Sequence, residues 1–134
     1  MSMYLLDTNI CIFVQNRRPP HVLEKLKRVS ARSRVFISGI TVAELQYGVY
    51  HSQRVEQNRI ALAGFLSPFD ILPFDDVDAE QYGILRAQLK KAGQIIGPYD
   101  MLIAAQAIAR KLTLVTNNLV EFERVRRLKV ENWR

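Results

Sequence analysis

Of the residue types that staple or metallate small proteins, this 134-residue sequence has almost none: one cysteine, Cys11, and two histidines, His21 and His51. A single thiol closes no internal disulfide and supplies no cysteine-rich zinc set, so a reducing interior is the expected home. Each histidine stands alone in a polar helical stretch with no flanking acid or second base, and reads as surface rather than acid–base machinery. No run approaches the roughly 18 apolar residues that a membrane span needs. The opening MSMYLLDTN lacks a basic segment and carries Asp7 within its apolar stretch, unlike a signal peptide. Internal repeats, low-complexity tracts and linkers are also missing. Together these absences point to a cytoplasmic protein without a membrane partner.

What is present is ordinary globular composition, 49% hydrophobic and 24% charged, in a length that suits one domain spanning residues 1–134. Such a chain buries a real core without staples. Nineteen Lys and Arg against thirteen Asp and Glu leave a net charge of +6, which suits a polyanionic partner. Short β-like runs alternate with longer helical ones. Strands are expected at Met3–Leu6, Arg34–Ser38, Asp70–Phe74 and Leu112–Thr116, with a last edge strand in Leu128–Trp133. Pro73 marks the third as an edge strand or strand end. Helices are expected around Ile10–Val14, after Pro20, and over Thr41–Tyr50, Val55–Phe65, Val77–Lys91, Pro98–Arg110 and Val120–Val125. Strands of four or five residues separated by such helices imply right-handed βαβ units: an α/β fold with a parallel sheet between helices. In open parallel sheets ligands bind beyond the carboxyl ends of the strands.

Acids far apart in sequence gather at that rim. Asp7 follows the first strand, Glu44 and Asp100 lie near helix starts, and Asn118 and Glu121 follow the fourth strand. Several have a plain capping role open to them. Thr41-Val42-Ala43-Glu44 fits a capping box, Asp100 falls at the third helical position after Gly97-Pro98, and Asn118-x-x-Glu121 fits a cap. Asp7 is harder to explain so, because an acid ending an apolar strand before an apolar helix is costly to bury without a partner. Carboxylates without soft ligands suit Mg²⁺ or Mn²⁺. Such an ion polarises a phosphoryl oxygen and acidifies water, so a phosphodiester could be hydrolysed without histidine.

Leu5–Ile12 (LLDTNICI), Thr41–Val49 (TVAELQYGV), Ile96–Ala105 (IGPYDMLIAA) and Leu114–Phe122 (LVTNNLVEF) together resemble PIN-domain ribonucleases, and more narrowly the VapC toxins of type II toxin–antitoxin pairs. The resemblance runs from Met3 to Trp133 and implies an α/β/α sandwich and a Mg²⁺- or Mn²⁺-dependent endoribonuclease. The family's acidic quartet maps onto Asp7, Glu44 and Asp100, with Asp7 and Asp100 as the metal ligands. The fourth acid, two residues after the strand-end Thr116, is Asn118 here, and Glu121 is the residue that could replace it. Thr8, Asn9, Thr116 and Asn118 resemble the polar residues that orient the acids. The family pattern implies in-line attack by water, leaving a 5′-phosphate and a 3′-hydroxyl.

The same resemblance implies a homodimer silenced by a VapB-like antitoxin, with operator DNA bound only through that antitoxin. The GPYDMLIAA and TNNLVEF segments look most like toxins that cut tRNA in the anticodon loop, initiator tRNA among them. Arg124, Arg126 and Arg127 follow Glu121 and are expected near the rim to meet RNA, Arg86 is expected either to face the RNA or to pair with an active-site acid, and Phe65, Leu66 and Phe69 fit either partner contact or core. Two other readings compete. A non-catalytic RNA-binding module on the same fold is favoured only by Asn118 in place of an acid. A phospho-acceptor domain would need paired acids after the first strand and a lysine after a late one, where this chain has Asp-Thr-Asn and Thr-Asn-Asn.

Overall fold

The computed structural model describes residues 2–133. Its elements in chain order are β1 (Met3–Leu6), α1 (Thr8–Asn16), α2 (Pro20–Ser30), β2 (Arg34–Ser38), α3 (Gly39–Tyr50) and α4 (Val55–Leu66), then β3 (Asp70–Leu72), α5 (Asp76–Lys91), α6 (Pro98–Arg110), β4 (Thr113–Val115), α7 (Leu119–Phe122) and β5 (Val130–Glu131). The five strands form one sheet in the order β3-β2-β1-β4-β5, every pair parallel.

Alternating side chains on the strands divide the apolar residues into two cores. Leu5, Phe36 and Leu114 face α5 and α6, packing with Leu85, Leu89, Met101 and Ile103. Leu6, Val35, Ile37 and Val115 face the other way, against Ile10, Val22, Leu26, Leu45 and Leu62 of α1–α4. The sheet therefore lies between two helical layers. Phe65, Leu66 and Phe69 are partly buried against this second core. Among the described residues no helix is long and apolar enough to cross a membrane.

Several boundaries depart from expectation for local reasons. Helix α3 begins at Gly39, because the Ser38 side chain accepts from the Ile40 amide and caps it there. The capping box expected from Thr41 to Glu44 does not form: Thr41 lies buried inside the helix, and Glu44 takes its hydrogen bond from elsewhere. Strand β3 stops at Leu72, since Pro73 has no amide to extend the ladder. Helix α7 ends at Phe122, and the chain to Leu128 continues through tight turns, with amides of Arg124, Val125 and Leu128 each bonding the carbonyl three residues back.

Sheet order sets the position of the functional rim. From central β1 the chain builds outward through β2 to β3, then returns to place β4 on the other side of β1. The crevice between the carboxyl ends of β1 and β4 is the switch point where parallel sheets leave room for ligands.

Candidate active site

Strand register delivers polar residues to that crevice. Leu6 pairs with Ile37 on one side and Val115 on the other, so Asp7, Ser38 and Thr116 each stand one residue beyond the last β1 pairs on three adjacent strands. All three are buried. The Asp7 amide donates to the Val115 carbonyl at 3.0 Å, closing the β1–β4 seam directly beneath the acid.

Asp7 is the N-cap of α1, its Oδ1 accepting from the Ile10 amide at 2.9 Å. Its Oδ2 accepts from the Thr116 hydroxyl at 2.5 Å, and the same Thr116 oxygen accepts from the Asn118 amide at 2.9 Å. This acid is thus both a helix cap and the centre of a site, and the two roles are compatible because each uses a different oxygen. On α1, one residue further, the Thr8 hydroxyl donates to Glu44 Oε1 at 2.8 Å and stands 3.2 Å from the Thr41 hydroxyl. Asn9 is exposed and lines the same cleft.

Asp100 sits in the first turn of α6, after Gly97 as cap and Pro98 as first helical residue. A Cβ at residue 97 would stand 3.3 Å from Asp100 Oδ2, so a glycine there keeps the carboxylate unobstructed. Asp100 hydrogen-bonds to Glu121, and Glu121 Oε2 accepts from the Asn118 side-chain amide at 2.8 Å. Asn118 makes no side-chain cap of α7, so its amide serves to hold Glu121 instead. Glu121 thereby stands among the acids although it lies three residues beyond Asn118, the position where the sequence resemblance implies an acid.

Electrostatics in the cluster is unbalanced. Burial pushes the Asp7 carboxyl up to about 6, with Glu44 adding to the rise and the Thr116, Ile10 and Asn9 hydrogen bonds opposing it. Burial also raises Asp100 to about 6, reinforced by the Glu121 hydrogen bond and by the charges of Glu121, Asp7 and Glu44. No ion pair to any of these four acids occurs among the described residues. The Asn117 side-chain oxygen, on the same β4–α7 loop, is buried without a hydrogen-bond donor. Reading acidity alone missed Asn117 and Gly97; the run Thr-Asn-Asn after a strand and a glycine three residues before an acid were the available signals.

Three of the acids, Asp7, Glu44 and Asp100, open onto a cleft of about 450 Å³ between α1, α3 and α4. Asp7, Thr8, Asn9, Glu44 and Asp100 form its polar end, and Ile12, Leu45, Val49 and Leu62 line the rest. Among the described residues no three acidic, histidine or cysteine side chains are arranged to hold one metal ion by themselves. Hard oxygen donors in excess, mutual repulsion and a donor-less buried amide oxygen nevertheless fit a divalent ion that takes one or two carboxylates directly and fills its shell with water. Both histidines are exposed: His51 stacks on Tyr47, with ring centroids 5.3 Å apart.

The four basic residues picked out in the sequence divide. Arg86 donates to the Tyr82 hydroxyl one turn back on α5, at 2.7 Å. Arg124, Arg126 and Arg127 line a second cleft. Arg124 donates to the Ile95 carbonyl at 3.1 Å and Arg127 to Gln81 Oε1 at 2.9 Å.

Residues 4–128 match the PIN domain family. The chain is 45% identical over 131 residues to ribonuclease VapC2 of Rickettsia felis, covering 98% of each. It is 41% identical over 133 residues to the tRNA(fMet)-specific endonuclease VapC of Salmonella typhimurium, covering 99% of each. The crystal structure of VapBC2 from Rickettsia felis bound to a DNA fragment from their promoter superposes with a TM-score of 0.94 at 44% identity, over 98% of this chain and 99% of that one.

Proposed function

Because the chain belongs to the PIN-domain family, among its VapC ribonucleases, we propose that it is the toxin of a toxin–antitoxin pair, an endoribonuclease that hydrolyses tRNA using Mg²⁺ or Mn²⁺. The observation that carries the reading is the convergence of Asp7, Glu44, Asp100 and Glu121 at the β1–β4 switch point, with no cation among the described residues paired to them. Asp7 and Asp100 are the direct ligands. A divalent ion bound there would supply Lewis-acid polarisation of the scissile phosphate and lower the pKa of water.

The protein's share is orientation. Thr116 and the Ile10 amide fix both oxygens of Asp7, so the carboxylate presents one geometry. Thr8 aims Glu44 from α1 across to α3. Asn118 steers Glu121 toward Asp100, placing an acid where the residue after the strand end supplies no charge. Exposed His21 and His51 take no part, so attack through the RNA 2′-hydroxyl has no histidine to promote it.

The tRNA target, with initiator tRNA favoured, rests on the match to the Salmonella typhimurium endonuclease named for tRNA(fMet), together with the GPYDMLIAA and TNNLVEF segments. A VapB-like antitoxin partner, reaching operator DNA on the pair's behalf, rests on the match to the DNA-bound VapBC2 structure. A homodimer and a single catalytic domain over residues 1–134 complete the reading. The test is incubation of purified protein with total tRNA in Mg²⁺, Mn²⁺ or EDTA. Cutting at one tRNA loop with either metal and none in EDTA is expected; metal-independent cutting, or cutting by Asp7→Asn, would refute it. No cutting by a well-folded protein would favour the non-catalytic RNA-binding alternative that Asn118 keeps open.

A further inference from the structure

On the opposite face of the sheet from α1–α4, a cleft of about 490 Å³ lies between the C-terminal half of α5 and the turns after α7. Lys91, Arg124, Arg126 and Arg127 line it over a floor that includes Leu89 and Val125, and no acidic residue contributes to its wall. Four positive charges along one groove are unfavourable to gather unless something negative enters. No ion pair satisfies any of the four among the described residues. The two hydrogen bonds that Arg124 and Arg127 make, to the Ile95 carbonyl and to Gln81, each go to a neutral acceptor. A guanidinium has five donors, so most of each remains for another partner.

The groove is tied to the acid cluster at two points. The Arg124 amide bonds the Glu121 carbonyl, so the first arginine stands one turn of chain from an acid of the site. The Arg124 side chain grips Ile95, in the segment that runs directly into Gly97 and the helix start bearing Asp100. A polyanion held at the acid cluster would therefore pass from that site onto the cations.

We propose that the cleft formed by Lys91, Arg124, Arg126 and Arg127 is a docking groove for the sugar–phosphate backbone of the RNA substrate, engaging phosphates beyond the scissile one. This rests on the RNA reading above and extends it from the bond that is cut to the way the substrate is held. Backbone phosphates are the occupant that matches a row of cations without acidic counterparts. The groove secures a long RNA without reading its sequence, which leaves choice of the cleaved bond to the acid rim.

The test uses Asp7→Asn protein, so that RNA stays intact, and total tRNA as the probe in Mg²⁺ buffers of rising salt. The doubly reversed variant K91E/R126E is compared with K27E/R28E on α2, which removes the same net charge from exposed residues on the other helical layer. K91E/R126E should weaken tRNA binding by about tenfold or more and flatten the log–log salt slope by about one to two. K27E/R28E should change affinity less than threefold. If reversal impairs folding, as judged by thermal unfolding, K91Q/R126Q gives the same comparison with a smaller loss. Equal losses in the two double variants would overturn the groove while leaving RNA as substrate. Absence of saturable tRNA binding by the Asp7→Asn parent, with no cleavage by wild type, would overturn the RNA reading and the groove with it.

Discussion

A group of carboxylates gathers at each end of helix α6, and the two are balanced differently. At its C-terminal end Asp78 is fully buried, yet its oxygens meet Arg110, the Gln106 amide and the backbone amide of Asp75, and Arg110 also pairs with Asp75 at 2.7 Å. That set closes a capping box on α5 and pins α5 to α6. At the N-terminal end Asp100, Glu121, Asp7 and Glu44 crowd one another with hydroxyls and amides but with no cation paired to them among the described residues. The same residue type is a folding element where an arginine answers it and a strained cluster where no cation among the described residues does. The electrostatic cost at the rim is one that the proposed divalent ion would remove.

The largest effect should separate the two ends by activity. Asp7→Asn and Asp100→Asn should each lower RNA cleavage by about a thousandfold or more while the protein stays folded, since each removes a carboxylate proposed to hold the metal. Cleavage assays beside circular dichroism would check this, and near-normal rates in either variant would erase the distinction. Asp78→Asn should do the reverse. Breaking a buried, arginine-paired acid should cost about 3 kcal/mol in denaturant unfolding, with metal binding by the folded fraction retained.

The next effect is pH dependence. For Asp7 the carboxyl moves from 3.8 when unfolded to about 6 when folded. The folded state then holds the proton more tightly, so the associated stability is fully present below about pH 4 and is lost as pH rises through about 6. For this buried group the penalty at pH 7.5 is at most about 3 kcal/mol. Metal-free wild type should therefore unfold more easily at pH 7.5 than at pH 5, beyond any change in Asp7→Asn. A chain whose metal-free stability rose across that window would show the rim acids to be compensated after all.

The smallest effect concerns Glu121. Glu121→Gln should lower cleavage by about tenfold, about 1.4 kcal/mol in the barrier, because the side chain stays on Asn118 but loses its charge beside Asp100. Unchanged activity would make it a neighbour of the site only.

These contrasts mark how far the sequence could be read. Strands β1 and β2 and helix α6 were legible to the residue because each is bounded by a strong local signal: Asp7, Ser38 and Gly97-Pro98. The alternation of strands and helices gave the parallel sheet, and a family resemblance singled out Asp7, Glu44 and Asp100. What was not legible was tertiary. Thr41-x-x-Glu44 has the letters of a capping box, but Ser38 takes the cap and the Thr8 hydroxyl, 36 residues before Glu44, takes the carboxylate. In sequence Asp78 is one more acid near a helix start, and its contacts with Gln106 and Arg110 are what separate it from the rim acids. The basic residues behaved likewise: spacing could not tell Arg86, held along its own helix by Tyr82, from Arg126, which faces a groove.

The acids at the β1–β4 crevice, with no cation paired to them among the described residues, are proposed to bind a divalent ion. Calorimetric titration of Mn²⁺ into metal-free protein at pH 7.5, wild type beside Asp7→Asn and Asp100→Asn, tests it most directly. Saturable binding to wild type that is lost in both variants is the predicted result. Binding that survives both substitutions, or no binding to wild type, would contradict it.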